Sequence, residues 1–150
     1  MAYALPIVIL VALDQLIKKW AVTVLSVSGD IPLWPGVFHF SYVENRGAAF
    51  GMLQNRQWLF VIITISVLVG IVVYWNHVPK NIYKIALILV ISGAVGNLLD
   101  RVYLGFVVDM FYFVLIDFPV FNLADVCVVV GTVICCAVMI LEDIFKPKED

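Results

Sequence analysis

Three carboxylates in the second half of the chain are spaced as hydrolytic chemistry would need them. Asp100 lies in Asn97-Leu98-Leu99-Asp100-Arg101, Asp109 in Val107-Val108-Asp109, and Asp125 in Phe121-Asn122-Leu123-Ala124-Asp125. Each Asn-x-x-Asp places an amide and an acid on one face of a helix. Two carboxylates brought together can hydrolyse a peptide without a metal: one, ionised, takes a proton from water, and the other, protonated, polarises the carbonyl. Proximity enforces that split. Two neighbouring like charges cannot both ionise cheaply, so the pair titrates as a unit.

Other chemistries lack their residues. No H-E-x-x-H occurs, and the two histidines, His39 and His77, fall in loops expected on opposite sides of a membrane. Neither a shared metal nor a histidine-activated serine is therefore expected. Cys127, Cys135 and Cys136 share one apolar segment with no C-x-x-C spacing and read as small apolar fillers. No metal and no cofactor is expected. A net charge of −2, without clustered Lys and Arg, argues against a nucleic-acid partner.

The elements that must position these acids are largely lipid-facing. The 150 residues are 64% hydrophobic and 13% charged, against about 25% charged in a soluble domain. So little charge cannot cover a water-exposed surface. Residues 57–76 carry no formal charge, end in Trp58 and Trp75, and match the roughly 20 residues that span a bilayer. Further spans are expected at about 82–99, with Lys84 snorkelling, and at 122–141. A less regular span at 3–25 contains Asp14, Lys18 and Lys19, and Asp14 interrupts it in a way a removable signal peptide would not. The expectation is a single all-α membrane domain over residues 1–150, with four transmembrane helices.

Between the first two spans, Val37 to Val43 alternates, with Phe38, Phe40 and Tyr42 on one face and His39 and Ser41 on the other, which predicts a strand at the membrane surface. Residues 100–121 mix charges with aromatics, and Phe118-Pro119 marks an extended stretch before the last helix. The short link with His77, Lys80 and Lys84, and the tail with Lys146 and Lys148, favour cytoplasmic termini. The acids Asp100, Asp109 and Asp125 then gather near the opposite, outer surface.

Ordinary structural roles compete with catalysis at several positions. Asn122 and Asp125 suit the opening of the last helix as N-cap and first-turn acid. Asp14 and Lys18, at i and i+4, suit an intrahelical ion pair. Asp100 suits a structural ion pair, with Arg101 or with a neighbouring segment. Asn45 and Gly47 suit a turn. Spacing alone yields a membrane protein with candidate acids. A small transporter or proton-conducting protein using paired acids is the alternative, and a structural membrane subunit a third.

Five motifs taken in order go further. Asp14-Gln15, Asn45-Arg46-Gly47-Ala48-Ala49-Phe50, Gly93-Ala94-Val95-Gly96-Asn97-Leu98-Leu99-Asp100-Arg101, Val107-Val108-Asp109 and Phe121-Asn122-Leu123-Ala124-Asp125 together resemble the lipoprotein signal peptidases, or signal peptidase II, over almost the whole chain. The resemblance implies an aspartyl endopeptidase of the bacterial inner membrane. It would cut prolipoproteins just before a diacylglyceryl-modified cysteine, with lipid and the lipidated precursor as partners and the enzyme working as a monomer. Carried over, the catalytic dyad falls on Asp109 and Asp125. Asn45, Asn97, Asp100, Arg101 and Asn122 take supporting or substrate-binding positions, and Asp14 and Lys18 structural ones. A small extracytoplasmic β-cradle is implied and suits the stretch at 37–43. The chain departs from the family in Arg46, where Thr is commoner, and in a somewhat short stretch between Asp109 and Asp125.

Overall fold

Apolar runs become helices, and glycines and prolines mark where they stop. In the computed structural model the described residues are 3–47, 53–79 and 81–145. Ala48, Ala49 and Phe50 of the loop motif, Lys80 of the short link, and Lys146 and Lys148 of the tail lie outside them. Helix α1 (Ala4–Trp20) runs on through a π-helical turn (Ala21–Leu25) and a last helical turn (Ser26–Ser28). Gly29 then turns the chain at φ +75°, a conformation that costs glycine nothing. Strands β1 (Ile31–Trp34) and β2 (Phe38–Asn45) follow. Next come α2 (Gln57–Tyr74), α3 (Asn81–Tyr103), β3 (Val107–Phe113) and α4 (Leu123–Ile144).

The segments Gln57–His77, Asn81–Tyr103 and Leu123–Ile144 are each long and apolar enough to cross a bilayer, with mean hydropathies of 2.5, 1.9 and 2.6. They match the expected spans at 57–76, 82–99 and 122–141. The span expected at 3–25 is helical from Ala4 onward, but its α-helical part has 17 residues and carries Asp14, Lys18 and Lys19. It is not among the three. The described residues are thus mostly helical, with three helices long and apolar enough to span and a small sheet.

Small residues let α3 and α4 approach closely, as in membrane helix pairs. A Cβ on Gly131 would stand 2.5 Å from the Ala86 carbonyl oxygen, and one on Gly96 would stand 2.6 Å from Asp14 Oδ2. One on Gly93 would strike the Ala124 carbonyl oxygen. Gly96 therefore admits α1 against the same face of α3 that receives α4. The outward faces are apolar: Leu5, Val8 and Leu16 of α1, Val72 of α2 and Val129 of α4 are each at least 60% exposed. So much exposed hydrocarbon marks a surface that something other than water covers.

The three strands form an antiparallel sheet in the order β1-β2-β3. Beneath it, Val108 and Met110 pack on Ala21 and Leu25 of the π-helical turn. Strand β2 forms where alternation predicts it, whereas β3 has no such signal. Val107 to Met110 are buried in succession, and a strand covered on both faces reads as an unbroken run rather than an alternation. Phe40 pairs with Phe111, but the next registered pair is Val43 with Asp109. Strand β2 thus holds one residue more than β3 over this interval, the signature of a β-bulge. The expected face of Phe38, Phe40 and Tyr42 is broken there. Beyond the bulge Val43 and Asn45, not Tyr42, share the side of Asp109, and the Tyr42 hydroxyl reaches Glu44 instead.

Candidate active site

Asp109 stands in the buried middle of β3 at 1% exposure. Asp125 stands in the first turn of α4, where Asn122 caps the helix. Asn122 Oδ1 accepts from the Asp125 N–H at 2.9 Å, and Asp125 Oδ2 accepts from the Asn122 N–H at 3.1 Å. This reciprocal capping box satisfies two of the helix's orphan donors. The cap residue also turns its amide nitrogen outward and donates to Asp109 Oδ1 at 2.6 Å. One asparagine therefore ties the two carboxylates together.

Two further asparagines complete the surround. Asn45, at the end of β2, donates from Nδ2 to Asp109 Oδ2 at 2.9 Å while its Oδ1 accepts from the Gly47 N–H at 3.0 Å. Asn97, on α3, donates from Nδ2 to Asp125 Oδ1 at 2.7 Å. Each carboxylate thus has both oxygens held by N–H donors. The pair opens onto a cleft of about 790 Å³ whose wall includes Asn45, Arg46, Arg101 and Tyr112, with Val126 and Val129 of α4 carrying it along an apolar face. The Arg101 guanidinium carbon lies 4.9 Å from the centre of the Phe60 ring, a cation–π contact that aims the side chain. At the rim, the Tyr112 hydroxyl donates to Asp117 at 2.6 Å.

Behind the cleft is a second buried polar cluster. Lys18 Nζ lies 2.9 Å from Asp14 Oδ2 and 2.9 Å from Asp100 Oδ2, with all three residues at most 3% exposed. The other oxygens of these acids are also engaged. Asp14 accepts from the Ala124 N–H, and Asp100 Oδ1 accepts from Gln15 Nε2. Asp100 Oδ2 also accepts from the Val108 N–H. Such pairing is what makes burial of these charges tolerable.

Electrostatics separate Asp109 from an ordinary acid. Burial, first, and then the nearby Asp125 charge push its pKa up to about 7, against the opposing pull of the Asn45 and Asn122 donors and of Lys18. Near neutral pH it therefore readily holds a proton. Among the described residues no group of three or more His, Cys, Asp or Glu side chains gathers as a metal site.

Of the residues marked in the sequence, Asn45, Arg101, Asp109 and Asp125 line the cleft, and Asn97 and Asn122 brace the acids from behind. Asp100, Asp14 and Lys18 form the second cluster. Sequence reasoning gave no role to Gln15, which donates to Asp100 and to the Gly96 carbonyl oxygen. Its position next to Asp14 was the available signal. Tyr112 and Asp117 also stand at the rim, and nothing in their sequence spacing joins them to the acids.

Paired carboxylates, Asp109 buried and Asp125 half-buried, amide-braced and opening on an apolar-walled cleft at one end of a bundle of apolar helices, define an aspartic-type membrane peptidase. The family model described as signal peptidase (SPase) II matches residues 6–141. A lipoprotein signal peptidase of Clostridioides difficile (strain 630) is 53% identical over 137 residues, covering 91% of this chain and 93% of that protein. One from Streptococcus pyogenes serotype M5 (strain Manfredo) is 42% identical over 135 residues, 88% of each chain. A bacterial membrane enzyme solved by the in meso method at 2.3 Å resolution superposes with a TM-score of 0.91 at 28% identity, covering 99% of this chain and 93% of its own. Another, at 1.9 Å, gives 0.83 at 30% identity, with 92% of each chain covered. The chain belongs to the signal peptidase II family.

Proposed function

We propose that this member of the family removes signal peptides from prolipoproteins with Asp109 and Asp125 as its catalytic dyad, cutting just before a diacylglyceryl-modified cysteine. The observation that carries the dyad is the double duty of Asn122, which donates to Asp109 and shares a capping box with Asp125. The two acids share a single proton and titrate as a unit; in the microstate that cuts, Asp109, pushed up by burial and by the Asp125 charge, holds it and Asp125 is the base. Asp125 takes a proton from water as the water oxygen adds to the scissile carbonyl carbon, and Asp109 gives its proton to the carbonyl oxygen. Collapse of the tetrahedral adduct breaks the C–N bond. The proton held by Asp125 goes to the leaving nitrogen, and the oxygen's proton returns to Asp109.

In this reading α1 with its π-helical continuation is a fourth membrane crossing. Its exposed Leu5, Val8 and Leu16 support that role, as does the inward burial of Asp14 and Lys18. The termini are cytoplasmic, the sheet and dyad lie near the outer surface of the bacterial inner membrane, and the enzyme works as a monomer. The lipid on the substrate cysteine sets the height of the scissile bond, each buried CH₂ contributing about 0.8 kcal/mol of anchoring. Such positioning lowers the entropic part of the barrier. Asn45, Arg101, Phe38 and Phe40 would then meet the polar end of the lipid and the adjacent peptide, while Tyr42, turned aside at the bulge, would not.

The test uses purified protein in one detergent or bilayer system, without metal or nucleotide. A precursor carrying diacylglyceryl-cysteine is compared with the same precursor unmodified. Only the first should be cut, and Asp109→Asn and Asp125→Asn should each abolish turnover while leaving the protein folded. Comparable cleavage of both precursors refutes lipid-set positioning, and full activity in either variant refutes the dyad.

A further inference from the structure

The three asparagines around the acids share one construction: a donor fixes Oδ1, so that Nδ2 must face a carboxylate. For Asn45 the donor is the Gly47 N–H, and for Asn122 the Asp125 N–H, both backbone groups of fixed direction. For Asn97 the donors are side chains. Its Oδ1 accepts from Lys18 Nζ at 2.9 Å and from Asn122 Nδ2 at 3.1 Å.

We infer that Lys18 is a positioning residue of the reaction, its ammonium fixing the Asn97 amide that holds Asp125. This rests on the dyad proposed above. An ammonium has three donors and no acceptor, and the partners of Lys18 are Asp14, Asp100 and the Asn97 oxygen, each at 2.9 Å. Turning the Asn97 amide over would set its NH₂ against the ammonium and against the Asn122 NH₂, and its oxygen against the Asp125 carboxylate. All three contacts would become repulsive together, so the amide has one orientation. Asn97 Oδ1 in turn receives Asn122 Nδ2, which also donates to Asp109. Lys18 thereby reaches both acids, Asp125 through one asparagine and Asp109 through two.

Ion pairing alone does not account for this geometry. Asp14 and Asp100 already oppose the lysine with two negative charges, yet a third contact is made to a neutral amide whose other end is on the dyad. The charged groups that bear on Lys18 are Asp14 on α1, Asp100 on α3, Asp109 on β3 and Asp125 on α4. Among the described residues, Asn97 alone connects the lysine to Asp125 by an unbroken pair of hydrogen bonds.

A double-mutant cycle on Lys18→Arg and Asn97→Ala tests this, with cleavage of the diacylglyceryl-modified precursor as the assay and Tm recorded for each protein. Arginine keeps the buried charge opposite Asp14 and Asp100, but its planar fork does not reproduce a compact ammonium's contacts. The expected loss is about 10- to 100-fold in kcat, the range for removing an outer partner that orients a reacting group, with KM within about twofold. In the Asn97→Ala background the same change should cost less than about twofold, because the partner it acts through is gone. An unchanged kcat in Lys18→Arg, or equal losses in the two backgrounds, overturns the inference. If Lys18→Arg does not fold, Lys18→Met with Asp14→Asn removes one charge of each sign. Its kcat should fall by the same factor below that of Asp14→Asn alone, and equality overturns the inference. Asp109→Asn and Asp125→Asn run alongside: activity in either sinks the dyad itself, whereas two dead variants beside an unaffected Lys18 series sink only the positioning role.

Discussion

The backbone N–H of Ala124 donates to Asp14 Oδ1 at 2.9 Å across 110 positions of sequence. An acid of the first helix thus sits at the N-terminus of the last, where the helix dipole favours negative charge. Removing it leaves that N–H unpaired and takes one of two anions from Lys18. Asp14→Ala is expected to lower stability by roughly 3–5 kcal/mol, the cost of breaking a buried pair from one side, and Asp14→Asn by less. Thermal unfolding in detergent reads this out, and kcat per folded molecule should stay close to wild type. An unchanged Tm in Asp14→Ala would show that the contact does not hold the helices together.

Asp109 makes stability fall as pH rises. Its folded pKa, raised to about 7, exceeds the ordinary carboxylate value near 4. Between those limits the folded protein keeps a proton that the unfolded chain has lost, so stability is lost as pH increases. The full penalty above pH 7 is roughly 4 kcal/mol at about 1.4 kcal/mol per pH unit. Wild type should therefore lose more Tm than Asp109→Asn between pH 5 and pH 8, and the two should converge toward pH 4. Parallel curves would mean that Asp109 carries no such shift.

The glycines of the helix contacts should respond by their surroundings. Gly131→Ala places a methyl 2.5 Å from the Ala86 carbonyl oxygen and should cost about 1–3 kcal/mol, as overpacking does. Gly70→Ala meets nothing within 4 Å and should be neutral or stabilising by up to about 1 kcal/mol, through helix propensity alone. Unfolding midpoints in one detergent decide it, and equal effects at the two sites would contradict the packing described.

Topology is open to labelling with a membrane-impermeant thiol reagent, in a background with Cys127, Cys135 and Cys136 replaced. Leu33→Cys and Leu104→Cys should label on intact cells, and Lys80→Cys only after permeabilisation. Leu33 and Leu104 are at least half exposed, so burial would not mask a correct result. The reverse pattern would place the dyad on the cytoplasmic side.

The helices α2, α3 and α4 were legible because an uncharged run of bilayer length has few other uses. The alternation at Phe38 to Val43 likewise announced β2. The limit came at β3, where burial on both faces erased the alternation, and at the bulge, which is invisible without the partner strand. Asp109, Asp125 and their asparagines could be named from motif order, but not arranged. Nothing in the spacing of Asn122 reveals that its amide reaches Asp109, because that contact depends on where β3 meets the first turn of α4. The Asp14–Lys18 pair was readable as a local i, i+4 contact. Its extension to Asp100 and Asn97 was not, since that depends on Gly96 letting α1 in.

Strand β2 also makes parity a property of the site. Successive side chains of a strand alternate between its faces, so Asn45 meets Asp109 only because an odd residue has been inserted after Phe40. Were the ladder to run on from the Phe40–Phe111 pair without the bulge, Tyr42 would pair with Asp109 and Glu44 would stand where Asn45 now stands, exchanging an amide donor for a third carboxylate facing the pair. Loss of one of Ser41 and Tyr42 would close the bulge and keep Val43 opposite Asp109, whereas loss of both would turn Asn45 to the other face, a constraint that no substitution at Asn45 itself would disclose.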